Sequence, residues 1–189
     1  LNKLFLLNIM IFYKNILMYK SFNLDEIDFS QLSLIKKREK KYRDQDHSRW
    51  IYNDKLNSLY YKIWNSTYIR RNNVEEGILS KFYTEETTPA LVGTIHHEGI
   101  CRGYIMKKVD KGTKDPNKFY ETIQQKTLLS NHFYFDYCKK HIMNYKGQPC
   151  LIDLEGIYPI SELQNFLDHK YNSSFADNSY KEFVCNLVK

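Results

Sequence analysis

The chain has 189 residues, with 28 Lys and Arg against 22 Asp and Glu and a formal net charge of +6. That length supports one domain, or two small lobes sharing a cleft, and 42% hydrophobic with 26% charged residues excludes wholesale disorder and collagen-like structure. Only seven glycines are present, so a fold that cradles phosphate on a glycine-rich loop has few positions to draw on.

Lysine supplies 22 of the basic residues and arginine six, while Asn reaches 16 and Ala only two. This skew follows AT-rich coding, so the positive charge by itself says little about an anionic partner. Cys101, Cys138, Cys150 and Cys185 form no CxxC pair, which argues against zinc ribbons, thioredoxin-type redox pairs and a disulfide framework. Reduced thiols in a cytoplasmic protein are the expectation.

Residues 1–18, LNKLFLLNIMIFYKNILM, are apolar but broken by Asn2, Lys3, Asn8, Lys14 and Asn15. No run approaches the roughly 20 residues of a spanning helix, and no small-residue cleavage site follows. The segment reads as a non-native upstream extension of the reading frame, or else as an interfacial amphipathic helix.

Residues 19–46 are expected to form a helical lead, capped at Ser30 and carrying Leu32, Leu34 and Ile35 before a basic run. Lys36, Lys37, Arg38, Lys40, Lys41 and Arg43 make up that run, which is a solvated face or a nucleic-acid contact. Residues 48–69 predict a hairpin, with turn signals at Asn53-Asp54 and Asn57-Ser58. Val74, Ile78, Leu79 and Phe82 then predict a helix over 72–83, capped at Asn72 or Asn73. ALVGTIHHEGICRGYIMKKV predicts two strands joined at His97-Glu98-Gly99. A helix over 118–130 and a hairpin about Lys146-Gly147 follow, ending at Asp153-Leu154-Glu155. SELQNFLDHK and SYKEFVCNLV read as closing helices.

The chemistry gathers around two acids. Asp136 lies five residues before His141, and Asp153 sits twelve residues after it, at the end of the apolar strand CLI. Phosphoryl transfer needs one carboxylate near the acceptor hydroxyl and another on a metal ion, and a loop followed by a hairpin can bring two such acids together. Upstream, Lys62 lies on the apolar strand YYKIW, and Glu75 opens the helix thirteen residues later. Glu75 puts Ile78, Leu79 and Phe82 on the core-facing side, whereas Glu76 would select Leu79 and Tyr83; both acids stay open as alternatives.

Strand lysine, helix glutamate, hinge strand, loop aspartate and strand-end aspartate follow one another in the order of the protein-kinase-like fold. Residues 48 to 156 thus resemble that family, including its aminoglycoside- and lipopolysaccharide-kinase branches. The resemblance implies an α+β, two-lobed fold with a small antiparallel-sheet lobe over 47–109 and a reduced helical lobe over 110–189. It implies that Lys62, held by Glu75, pairs the phosphates of ATP, and that Asp136 orients the acceptor. Asp153 and His141 fall on the Mg²⁺ ligands, with His141 where the family has Asn. Met106 falls on the gatekeeper, the backbone of Lys107 and Val109 on the adenine contacts, and Asp110 on the ribose contact.

Between Gln45 and Lys62 there is no glycine, so the phosphate-covering loop of the family is missing or built from the Asn-Asp and Asn-Ser turns. Only 34 residues follow Glu155, which implies a pared-down second lobe and a small-molecule or saccharide acceptor. A nucleotide-binding pseudokinase or scaffold is the alternative, followed by a basic nucleic-acid-binding protein using residues 36–43.

Overall fold

The computed structural model describes residues 20–39, 41–42, 45–46, 48–65, 87–112, 115–129, 131–134 and 139–163. The chain is a mixed α+β protein dominated by a six-stranded sheet. Its strands are β1 (Lys20–Asn23), β2 (Ser33–Arg38), β5 (Arg49–Asp54), β6 (Leu59–Trp64), β7 (Leu91–His97) and β8 (Ile100–Lys107). The short strands β3 (Lys41–Tyr42) and β4 (Gln45–Asp46) pair with each other between β2 and β5. Across the sheet the order is β1-β7-β8-β6-β5-β2.

Turn chemistry sets the hairpins. Between β5 and β6 the Asp54 carboxylate accepts from the Asn57 N–H at 3.0 Å and from Asn57 Nδ2 at 2.7 Å, and Ser58 turns the chain at φ 55°. Glu98 and Gly99, at φ 51° and 73°, join β7 to β8 at the predicted turn. Lys146 and Gly147, at φ 51° and 84°, join β10 (Ile142–Tyr145) to β11 (Gln148–Leu151). Helix α1 (Pro116–Leu129) covers the expected 118–130 segment, with Asp115 capping the Lys118 N–H at 3.0 Å and Pro116 at the first helical position. Its inner face is Tyr120, Ile123, Gln124 and Thr127, the spacing of one helical stripe. Strand β9 (His132–Tyr134) pairs with β12 (Ile157–Pro159).

Three expectations change. Residues 33–38, read as part of a helical lead, form an edge strand paired antiparallel to β5, because cross-strand hydrogen bonding overrides the local helical preference of the Leu-Ile-Lys-Lys run. The sheet is mixed and not purely antiparallel, since β1 runs parallel to β7. The Asn57-Ser58 turn cannot cover phosphate beside Lys62: the Ser58 carbonyl accepts from the Lys108 N–H at 2.8 Å, so this turn sits at the Lys107 end of the sheet. The opposite-end connection, residues 39–48, joins β2 to β5 and likewise contains no glycine. The segment expected to be helical over 72–83 and most of the two closing segments lie outside the described residues.

The two faces of the sheet bury different clusters. Ile63, Ile95 and Ile105 pack under Phe22, Leu24 and Ile27 of the 20–27 segment. The other face contributes Trp64, Leu91, Tyr104 and Met106 to the main core, where they meet Tyr120 and Ile123 of α1, Phe133, Tyr134, Ile142, Leu151, Leu154 and Ile157. The period of two along each strand produces this division: even-numbered positions of β6 and of β8 from Gly103 to Lys107 face the main core and odd-numbered ones the smaller cluster, while the register shift opposite Ile95 and His96 turns Cys101 into the main core. Cys101 and Cys150 are buried inside the main core. Among the described residues no helix is long and apolar enough to cross a membrane.

Gly103 lies opposite Ile63 where β8 crosses behind Lys62, and a methyl group there would sit 2.1 Å from the Lys62 carbonyl oxygen. Gly103→Ala is therefore expected to cost about 1–3 kcal/mol through forced separation of β6 and β8. Equilibrium urea unfolding measures it; an unchanged midpoint would contradict the close packing.

Candidate active site

One face of three neighbouring strands forms the ceiling of a pocket of about 450 Å³. Ile51, Lys62 and Tyr104 stand in one cross-strand row, because β5 pairs Ile51 with Lys62 and β8 pairs Tyr104 with Lys62. Tyr60 and Met106 form the next row on the same face. Met143 of β10 and Ile152 after β11 line the pocket as well, and Lys107, Lys108, Val109, Asp110 and Lys111 form its rim. The lining is largely apolar, with lysines at the mouth and one at the inner end.

The rim segment is tied at both ends. Lys107 donates its N–H to the Ala90 carbonyl at 2.7 Å, and Asp110 exchanges backbone hydrogen bonds with Asn144 at 2.8 and 2.9 Å. These bonds join the sheet to the β10–β11 hairpin. They leave the Val109 N–H without a partner among the described residues.

At the inner end, Lys62 Nζ donates to Asp153 Oδ1 at 2.8 Å and to Glu155 Oε2 at 2.6 Å. The Tyr104 ring lies beneath the same ammonium, 5.4 Å from Nζ to its centroid. Across the site, His141 Nε2 is 3.4 Å from Asp153 Oδ2, and Arg49 Nη1 is 3.9 Å from Glu155 Oε1. Two tyrosines fix the backbone that carries the acids: Tyr104 donates its hydroxyl to the Ile152 carbonyl at 2.9 Å, and Tyr134 donates to the Asp153 carbonyl at 3.0 Å. Asp153 and Glu155 flank Leu154 in a single 3-10 turn, Leu154–Gly156, with the Leu154 side chain fully buried.

Electrostatics follow from two acids facing one ammonium away from water. Burial disfavours the charged form of Lys62, but Asp153 and Glu155 outweigh it and hold the ammonium well above the ordinary lysine range. Burial likewise opposes ionisation of Asp153, yet Lys62, a hydrogen bond with Glu155 and the nearby His141 hold its carboxyl well below the usual carboxylate range. Glu155 goes the other way: burial, reinforced by the Asp153 charge and opposed by Lys62, pushes it up to about 8. The two acids thus differ: near neutrality Asp153 favours its charged form and Glu155 its protonated form. Tyr104 is pushed up mainly by burial and stays a hydroxyl donor.

Of the residues singled out from sequence, Lys62, Met106, Lys107, Val109 and Asp110 line this pocket, while Asp153 and His141 meet beside Lys62 without lining it. Asp136 and Glu75 lie outside the described residues. Glu155, Arg49, Tyr104, Tyr134, Ile51, Met143 and Ile152 were not singled out. Strand alternation held a signal for two of them: Tyr104 is two residues before Met106 on the same face, and Ile51 alternates with Arg49. Lys36, Lys37 and Arg38 of the basic run lie elsewhere, on exposed strand β2, where Lys37 pairs with Glu39 at 2.7 Å; Lys40 and Arg43 lie outside the described residues.

No group of three or more His, Cys, Asp and Glu that could hold a metal ion occurs among the described residues. Mg²⁺ is commonly held by one or two carboxylates together with substrate phosphates and water, and one carboxylate, Asp153, stands beside Lys62 here. Neither protein-family models nor curated proteins match the chain.

Two outcomes are expected. Glu155 binds its proton more tightly folded than at its ordinary value of 4.5, so stability should fall as pH rises from about 4.5 through about 8. Asp153 has the opposite sign, its stabilisation being lost as pH drops below the ordinary carboxylate value of 3.8. Thermal melting from pH 5 to 9 should show the alkaline decline, and Glu155→Gln should flatten it; an identical slope in the variant would refute the assignment. Lys62→Met would strip both acids of the ammonium they share, and chemical denaturation should register a loss of about 3–5 kcal/mol.

Proposed function

We propose that the chain is an ATP-dependent, kinase-like phosphotransferase acting on a hydroxyl of a small molecule or saccharide. The observation that carries this reading is the meeting of Lys62 and Asp153 at 2.8 Å, 91 residues apart in sequence, at the inner end of an apolar pocket. A lysine on the third long strand of a sheet, facing an acid just beyond a hairpin, is the arrangement that pairs nucleotide phosphates and metal in protein kinases. The strand order supports it too: β2, β5 and β6 form a meander, and β8 returns beside the lysine strand before the chain leaves through Lys107–Asp110.

In this reading the adenine ring lies between Ile51 on one side and Met143 and Ile152 on the other. The Lys107 carbonyl and the Val109 N–H meet its polar edge, and Met106 limits the depth. Asp110, exposed at the rim and held through its backbone to Asn144, faces the ribose. Lys62 carries the phosphates, and Asp153, kept ionised, faces the metal with His141 beside it. Bound Mg²⁺ would neutralise charge developing on the transferred phosphoryl group. Asp136 keeps the role of orienting the acceptor hydroxyl. The two-lobed division belongs to the same proposal, with Lys107–Asp110 as the connection between lobes.

Thermal melting with ATP, with and without Mg²⁺, tests the reading. An upward shift of several degrees with Mg²⁺-ATP, lost in Lys62→Met relative to that variant's own baseline, is expected. A Mg²⁺-independent shift would point instead to a pseudokinase, and no shift under either condition would sink the nucleotide reading.

A further inference from the structure

Lys62 takes both of its carboxylate partners from one three-residue element, Asp153 at 2.8 Å and Glu155 at 2.6 Å. The kinase template instead draws one partner from a separate helix, here Glu75. The two acids of the 153–155 element are not equivalent. Asp153 divides its oxygens, with Oδ1 toward Lys62 and Oδ2 toward His141, on the side where a metal would stand. Glu155 has only 1% of its side chain exposed and faces two cations, with Oε2 on Lys62 and Oε1 3.9 Å from Arg49.

A metal bound at Asp153 would draw that carboxylate away from Lys62, and a lysine with no other acceptor would lose its orientation just as phosphate arrives. Glu155 supplies the acceptor that persists. Its mounting is rigid: the Ile152 and Asp153 carbonyls are pinned by Tyr104 and Tyr134, and Leu154 is fully buried between the two acids.

We propose that Glu155 is the positioning residue for Lys62, so that the phosphate-binding lysine and the metal-facing acid are assembled within one element and phosphate binding does not wait on the 72–83 helix. The proposal rests on the nucleotide reading above. It makes the site preassembled within the 153–155 element.

The experiment compares Mg²⁺-ATP and adenosine binding by titration calorimetry in wild type, Glu155→Leu, Glu155→Gln and Glu75→Gln. Glu155→Leu removes the acceptor yet leaves Lys62 and Asp153 as a charge-balanced pair, so the fold is expected to survive. It should weaken Mg²⁺-ATP binding by about tenfold, the worth of one hydrogen bond to a charged group, with adenosine affinity unchanged. Glu155→Gln, which keeps an oxygen acceptor at the same reach, should restore most of the loss. Equal loss for ATP and adenosine would make Glu155 merely structural and overturn the proposal. Unchanged ATP binding in Glu155→Leu, with the loss in Glu75→Gln alone, would return the role to the helix. Should Glu155→Leu fail to fold, Glu155→Asp, which withdraws the carboxylate by one methylene, must show the same ATP-selective loss. If wild type binds adenosine but Glu155 variants behave like wild type, only this proposal fails; if wild type binds neither ligand, the nucleotide reading fails with it.

Discussion

A buried ammonium caught between two buried carboxylates governs this protein. Lys62 on β6, and Asp153 and Glu155 on the turn after β11, come from segments separated by about ninety residues. Taking such groups out of water is costly, and only mutual pairing with additional hydrogen bonds offsets the loss. The sheet must therefore meet the β10–β11 hairpin at one distance, or three ionisable groups are stranded. Charge counting adds a second demand. Burial and the Asp153 charge push Glu155 up to about 8 against the pull of Lys62, so the two acids that share the lysine are not equivalent.

Aromatic side chains translate that electrostatic demand into geometry. Tyr104 stands under the ammonium with its ring and holds the Ile152 carbonyl with its hydroxyl, so one residue fixes both the lysine and the backbone leading to the acids. Tyr134 does the same for the Asp153 carbonyl from β9, while its own carbonyl is held by Tyr120 and Gln124 of α1. The polar site is thus anchored through the main core. The abundance of tyrosine, 16 residues in all, has here a use beyond codon bias.

The scarcity of glycine takes on a sharper meaning in three dimensions. Gly103 allows β8 to approach the Lys62 backbone, and Gly99 and Gly147 turn hairpins at positive φ. None lies in residues 39–48, the connection that leaves the sheet at the end opposite the Lys107 rim. A phosphate held in this pocket would depend on side-chain cations such as Lys62, and not on a glycine cradle, for its binding.

Much of this was legible in the linear chain because it is local. Hairpins announced by Asn-Ser, Glu-Gly and Lys-Gly, the helix expected over 118–130, and a lysine on an apolar strand all depend on neighbouring residues and on the period of two or 3.6. Lys62 and Asp153 could be singled out for the same reason: each sits on a short, recognisable pattern. What depended on distant contacts was not legible. Strand β2 looked helical until β5 supplied its hydrogen-bonding partner, and β1 could not be seen to run parallel to β7. Glu155 closed the Asp153-Leu154-Glu155 stretch after the hairpin with no partner assigned to it. Only tertiary packing put it 2.6 Å from the Lys62 ammonium, because ion pairing across some ninety residues is decided by how sheet and hairpin dock and not by any spacing along the chain.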